Sequence, residues 1–287
     1  MPRYRLTIEY AGTRYSGWQV QKNARTVQGE LLRSAREAAG GAAVELQGSG
    51  RTDAGVHAIA QVAHLDVPRP VAPEQLRRQI NDMLPADINV LAVAPVPHRF
   101  HARHDAVSRS YVYQIARRRT AFAKPFVWWV KEDLDVEAIR QASRLFVGMR
   151  DFQSFTDSDP DEISTLVQLE GIEVKEDGDL LLVRVTGSHF VWKMVRRIVG
   201  VLVEVGRRQL TLADIEGFFE RRSPVPARVT APASGLFLER VVYPGEPPVA
   251  PLGAITPLAP AARSATSSSP CSSSPSGSRP SPRPPRS

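Results

Sequence analysis

Residues 43–67 read AVELQGSGRTDAGVHAIAQVAHLDV, and how they are parsed decides the fold. A short strand over about 43–48 enters the loop Gly48-Ser49-Gly50-Arg51-Thr52-Asp53-Ala54-Gly55, and a long strand over 57–67 leaves it. On the N-terminal side, Thr26 stands as an N-cap before Val27, Leu31, Leu32 and Ala35 at helical spacing, with Gly40-Gly41 closing the helix. On the C-terminal side, the spacing predicts a helix from Pro73 to Met83. Further out, Tyr4, Leu6, Ile8 and Tyr10 alternate with Arg3, Arg5, Thr7 and Glu9, the pattern of a half-buried strand. A last strand through Ile88, Val90 and Leu91 is stopped by Pro95 and Pro97. The order strand–helix–strand–strand–helix–strand over 1–104 is an α+β arrangement of the ferredoxin-like kind.

Residues 105–246 repeat the element content without a residue-level repeat. A strand carries Val107, Arg109, Tyr111, Tyr113 and Ile115, a helix spans about 136–146, and two strands flank the hairpin dipeptide Asp177-Gly178. Phe190, Met194, Val195, Ile198, Val199, Leu202 and Val205 mark another helix, followed by a shorter one over 212–219 and a strand over 236–243. The expected fold is therefore two ferredoxin-like, RRM-like α+β halves and a tail. That tail, 247–287, holds 11 Pro and 11 Ser with four Arg and no acid, a composition that cannot build a core and reads as disordered.

The chain has 287 residues, 42% of them hydrophobic, enough for a packed core of two domains. Of the formal charge of +7, the tail's arginines carry +4, so the folded part is only mildly basic. Across the whole chain the cations are overwhelmingly Arg, 32 against 5 Lys, which base composition explains more readily than a need for forked phosphate donors. One cysteine excludes an intrachain disulfide framework and points to a reducing, cytoplasmic setting. No apolar run is long enough for an ordinary membrane span, and the alternating N-terminus is unlike a signal peptide.

The 48–55 loop carries the chemistry. Its glycines permit close approach of a ligand, Asp53 offers a carboxylate for nucleophilic or base work, and a guanidinium such as that of Arg51 favours the ionised form of a neighbouring carboxylate. The bland alternative is a β-turn whose Asp bonds its own backbone. The loop lacks the Gly-Lys-Ser/Thr ending of a phosphate loop. His98, His101 and His104 with Asp105 imitate a metal set, but Pro97 begins the run and only two of the three imidazoles can share a helical face. His101 and Arg103 are expected to face a ligand or to stabilise the entry to the next strand. Arg196 has Trp192, Gly200 and Val203 as face neighbours, whereas Arg197 has Lys193, Val201 and Glu204. That places Arg196 on the drier flank and Arg197 on a solvated one. Arg117-Arg118-Arg119 is either a solvated cluster or a set of phosphate contacts.

Gly50-Arg51-Thr52-Asp53-Ala54-Gly55-Val56-His57-Ala58 resembles the signature loop of the TruA family of tRNA pseudouridine synthases. Tyr15 to Gln21, Asn81 to Ile88, Phe100 to Arg103, Arg109 to Tyr113, Asp151 to Phe155, Met194 to Arg196 and Ala231 to Leu236 are similar to further family motifs in the family's order. Arg150 departs from the histidine usual before the Asp-Phe pair. The resemblance implies isomerisation of uridine to pseudouridine at positions 38, 39 and 40 of the tRNA anticodon stem-loop, by a homodimer that needs no metal or organic cofactor. It places the catalytic aspartate on Asp53, the active-site tyrosine on Tyr111 and the active-site basic residue on Arg196. Two routes, addition to the base and deprotonation at C2′, are both compatible with Asp53 as nucleophile. Arg51, His101, Arg103 and Arg109 join Tyr111 as expected substrate contacts, an aromatic set among cations being suited to single-stranded RNA.

Overall fold

In the computed structural model, which describes residues 1–159, 164–247 and 249–258, a ten-stranded sheet with six helices forms the body of the chain. The first half contributes β1 (Arg3–Tyr10), α1 (Val27–Ala38), β2 (Glu45–Gly48), β3 (His57–Asp66), α2 (Pro73–Met83) and β4 (Ile88–Val96). The second contributes β5 (Ser108–Ala116), β6 (Trp128–Trp129), α3 (Val136–Arg144), β7 (Gly148–Asp151), β8 (Leu166–Asp177), β9 (Leu180–Gly187), α4 (Met194–Gly206), α5 (Leu212–Glu220), α6 (Val225–Arg228) and β10 (Leu236–Val242).

Local sequence explains most boundaries. β1 buries every second residue, as its alternation requires. Thr26 Oγ1 accepts the Gly29 N–H to cap α1, Asp135 Oδ1 accepts that of Ala138 to cap α3, and Thr211 with Asp214 forms a capping box on α5. Gly178, at φ 59°, turns β8 into β9. Pro95 does not stop β4, which runs through it to Val96: β4 is an edge strand, where a missing N–H costs no ladder bond. The short strands β6 and β7 carry no alternation long enough to reveal them.

The strands lie in the order β4-β1-β3-β10-β5-β9-β8-β7, with β2 also on β3 and β6 also on β5. On each side of the junction, the half's last long strand lies beside its first, which lies beside its third. β10, last in the chain, fills the centre, parallel to β3 through Phe237–His57 and Leu238–Ala58 and antiparallel to β5. In the first half Leu6 and Ile8 of β1 and Leu65 of β3 share one core with Leu31 of α1 and Leu76 and Ile80 of α2. In the second, Ile139 of α3 and Ile198 and Leu202 of α4 join Val183 and Val185 of β9 in the same core.

The other face of the second half holds Val112, Ala116, Leu180 and Leu182, and it is covered by Ala123, Val127 and Leu252. The packed chain thus runs to residue 258 rather than ending near 246. Residues 249–258 dock through Arg184 Nη2 to Ala250 O (2.8 Å), Lys175 Nζ to Leu252 O (2.6 Å) and Ile255 N to Gln114 Oε1 (2.7 Å). Composition averaged over 247–287 missed this because residues 249–258, VAPLGAITPL, are largely apolar, whereas the serines and arginines all lie beyond them. The remainder of the expected tail, 259–287, lies outside the described residues. Leu252→Ala is expected to cost about 2 kcal/mol through the cavity left against Leu180 and Leu182, read as a lower denaturant midpoint at unchanged slope.

Candidate active site

The Asp53 loop leaves the sheet at a fork. One edge of β3 pairs with β10 at His57 and Ala58, then with β2 from Ala63 to Asp66, and the loop between β2 and β3 emerges where the partner changes. Its base is tied down by Ser49 N to Val62 O (2.7 Å), Ser49 Oγ to Gln61 Oε1 (2.6 Å) and Gln61 Nε2 to Gly50 O (3.1 Å). Its far side is strapped by the segment after β1: Trp18 N donates to Thr52 O (3.0 Å), Gly55 N donates to Tyr15 O (3.3 Å), and the Tyr10 and Thr52 hydroxyls bond at 2.8 Å. Gly17, at φ 89°, makes the strap possible, since a methyl there would lie 2.6 Å from Thr52 O. The loop is therefore rigid, and the Asp53 carboxylate projects from it partly exposed.

Helix α4 supplies the opposing charge. Arg196 Nη1 stands 3.4 Å from Asp53 Oδ2, and Arg196 Nε donates to Ala231 O at 2.7 Å, which fixes the plane of the guanidinium. Ala231 N returns a bond to Arg196 O (3.0 Å). This closeness depends on Gly200, where a methyl would meet Val229 O at 1.7 Å. The floor between the two charges is a row across four strands: Tyr10, Ala58, Leu238 and Tyr111 are successive lateral partners. Tyr111 packs edge-on against Phe190 (4.9 Å), and burial pushes its phenol up to about 12, Arg109 opposing and Asp53 adding. Tyr113 is fully buried and donates to Pro232 O (2.7 Å), a core residue.

The helix orientation expected from face neighbours needs correction. Arg197, not Arg196, is the buried arginine, at 3% exposure, and it pairs with Asp157. The burial holds because that carboxylate, from the turn after Phe155, also takes Lys193. Nothing in the spacing of α4 announces a partner from so distant a segment.

Of the other expected contacts, Arg109 is already engaged. Its Nη1 donates to Ala106 O (3.2 Å) and Ser188 O (2.7 Å), and its Nη2 to Ser49 O (3.3 Å) and Arg103 O (2.7 Å). A single cation with no carboxylate partner among the described residues thus braces the segments around the site, and burial lowers its pKa. His101 is likewise occupied: its Nε2 bonds Gln47 Oε1 (3.1 Å) and its Nδ1 accepts from the backbone of Arg103 and His104. Its ring touches those of His64 and His104 in an aromatic cluster that closes the loop after β4. Arg51 and Arg103 are exposed, and their guanidinium groups make no ion pair among the described residues. Arg117 pairs with Glu176 and Arg118 with Asp179, while Arg119 lies over the Trp129 ring.

One residue central to the geometry was not singled out by its chemistry. His57 accepts the Gly12 N–H at Nδ1 (3.0 Å), donates from Nε2 to Pro125 O (3.0 Å) and stacks on Phe237 at 4.7 Å. It follows the Asp53 loop directly, and only its place in the loop motif could have flagged it.

Two outcomes follow from these contacts. Gly200→Ala is expected to part α4 from residues 229–231 and lower turnover by about tenfold or more without removing any charged group, measured as single-turnover rate beside a thermal melt. Burial holds His57 below the ordinary histidine value and His64 at about 4, with Arg3 and His101 adding to the latter. The unfolded chain binds protons near 6.5 while the folded chain does not, so stability is full above that pH and is lost as pH falls below it. Each imidazole contributes a slope of up to about 1.4 kcal/mol per pH unit, His64 down to about pH 4, and a His64→Gln variant is expected to flatten the denaturant midpoint plotted against pH.

The comparisons with known proteins bear on the reading directly. The family described as tRNA pseudouridine synthase matches residues 6–105 and 142–244. A tRNA pseudouridine synthase A of Beijerinckia indica is 41% identical over 249 residues, covering 86% of this chain and 95% of that protein. One of Rhodopseudomonas palustris strain BisA53 is 41% identical over 246 residues, covering 85% and 100%, and one of Agrobacterium fabrum is 37% identical over 249 residues, covering 85% and 93%. With the Asp53 loop and Arg196 inside the matched ranges, and Tyr111 in the stretch between them, this chain belongs to the tRNA pseudouridine synthase family, isomerases of uridine in tRNA.

Proposed function

We propose that the chain forms pseudouridine at positions 38, 39 and 40 of the tRNA anticodon stem-loop, with Asp53 as the nucleophile. The observation that carries this is the approach of Arg196 Nη1 to Asp53 Oδ2 at 3.4 Å above a floor formed by Tyr111. The reaction replaces the N1–C1′ bond of uridine by a C5–C1′ bond and releases the C5 proton while N1 gains one, so reactant and product have the same composition. Nothing is oxidised or reduced, and a carboxylate with a directed guanidinium supplies what the step needs. Arg196 orients Asp53 and offsets its charge in a partly dry site. Tyr111, neutral at physiological pH, offers its ring and hydroxyl to the extruded uracil.

Arg51 and Arg103 are the candidate phosphate contacts, being exposed and without an ion pair among the described residues, whereas Arg109 and His101 act through the loops they hold. The strand orders on either side of β10 favour two ferredoxin-like halves, 1–104 and 105–246, with the site between them. The family resemblance favours a homodimer, and a tRNA substrate with a single cysteine in the chain favours the cytoplasm. No helix among the described residues is long and apolar enough to cross a membrane.

The test is to map pseudouridine in tRNA incubated with the purified full chain. Wild type is expected to modify 38–40, and modification elsewhere overturns the assignment of position. Asp53→Asn is expected to lower the rate by about a thousandfold or more while tRNA binding persists. Arg196→Lys, which keeps charge but loses the second guanidinium contact, is expected to retain partial activity, about 10- to 100-fold down. An Asp53→Asn protein turning over near the wild-type rate, with deamidation excluded by mass, removes the nucleophile from Asp53.

A further inference from the structure

Between β9 and α4 the chain passes through residues 188–193, and its side chains part company. Phe190 turns inward to Tyr111, Val191 is buried, and Trp192 is 53% exposed. Trp192 is thus bracketed in the chain by Phe190, which meets Tyr111, and by Arg196, which reaches Asp53 from the first turn of α4 beyond the left-handed Lys193. The indole therefore stands at the rim of the site, on the segment that also forms its wall.

An open tryptophan is a poor use of the largest apolar side chain unless something covers it. Its setting is also built rather than loose. Lys193 takes φ 62°, a left-handed conformation uncommon for a residue with a side chain, at the N-cap of α4. Its Nζ lies 4.4 Å from the centre of the Trp192 ring and bonds Asp157 Oδ2 at 2.8 Å. Asp157 is held in turn by the buried Arg197. A pinned ammonium thus backs one face of the indole, and the exposure belongs to the other face and the edges.

We propose that Trp192 is a stacking platform for a nucleobase adjacent to the target uridine. The proposal rests on the RNA substrate put forward above. Extruding a uridine leaves its neighbour without a stacking partner on one side. An aromatic face next to the site restores that stacking and accepts any base, because every base has a π-face. Lys193, close behind, adds a cation beside the same stretch of backbone. Trp192 is then a substrate-binding residue that sets affinity and leaves the chemistry at Asp53 to others.

The experiment uses the full chain as wild type, Trp192→Leu and Trp192→Phe, with a stem-loop RNA containing the target uridine. Copies of that RNA carry an abasic residue immediately 5′ or 3′ of the target. Leucine keeps apolar bulk without a ring, and phenylalanine keeps a ring. Trp192→Leu is expected to weaken binding about tenfold, Trp192→Phe to restore most of it, and the single-turnover rate at saturating enzyme to stay within about twofold. One of the two abasic RNAs is expected to lose about tenfold in affinity for wild type and nothing further for Trp192→Leu. Equal affinities of wild type and Trp192→Leu overturn the proposal, as does an abasic penalty that is the same for both proteins. A loss of saturated rate at unchanged affinity also overturns it, since Trp192 would then act through Arg196. Failure of the functional reading is separable: wild type would make no pseudouridine in any RNA, whatever the binding measurements showed.

Discussion

The neutral imidazole of His57 is the point on which the two sides of the molecule meet. It takes a hydrogen bond from Gly12 in the strap over the Asp53 loop and gives one to Pro125 in the turn before β6. Its ring lies on Phe237 of β10, whose backbone is paired with its own. Both nitrogens have partners only when one carries a proton and the other does not, so burial without charge and full satisfaction coincide. Since Asp53 precedes this junction by a few residues and β10 continues from the segment that aims Arg196, the distance between the two charges is set here.

The charged groups of the site share a common economy. Two guanidinium groups beside the cleft are restrained by carbonyl oxygens: Arg196 by Ala231, and Arg109 by Ser49, Arg103, Ala106 and Ser188. Carbonyls direct a cation without cancelling it. Their positive charge is thus held in a fixed direction within the site.

How much of this was legible in the sequence depended on whether the cause was local. The alternation of β1, the Thr26 cap and the Asp177-Gly178 hairpin act over a few residues, and the elements appear where these signals place them. The Asp53 loop was conspicuous because glycines, an arginine and an aspartate cluster within it. What escaped was set by partners far along the chain. Arg197 is buried because of Asp157, and Arg109 is consumed by four carbonyls from three separate segments. Residues 249–258 are ordered because β5 and β9 present them with an apolar face. In each case the residue type was evident, and its neighbour was not.

The central place of β10 also bears on the order in which the molecule is completed. A strand made after both of its neighbours lies between them, and its parallel contact with β3 spans residues 57 and 237. The first half contains the strands needed to pair among themselves, β4, β1, β3 and β2, before that contact exists. The site does not: Asp53 has no defined relation to Arg196 until β10 has docked. A nascent chain therefore holds Asp53 without Arg196 beside it, and the pair arrives as a late, long-range closure rather than growing with length.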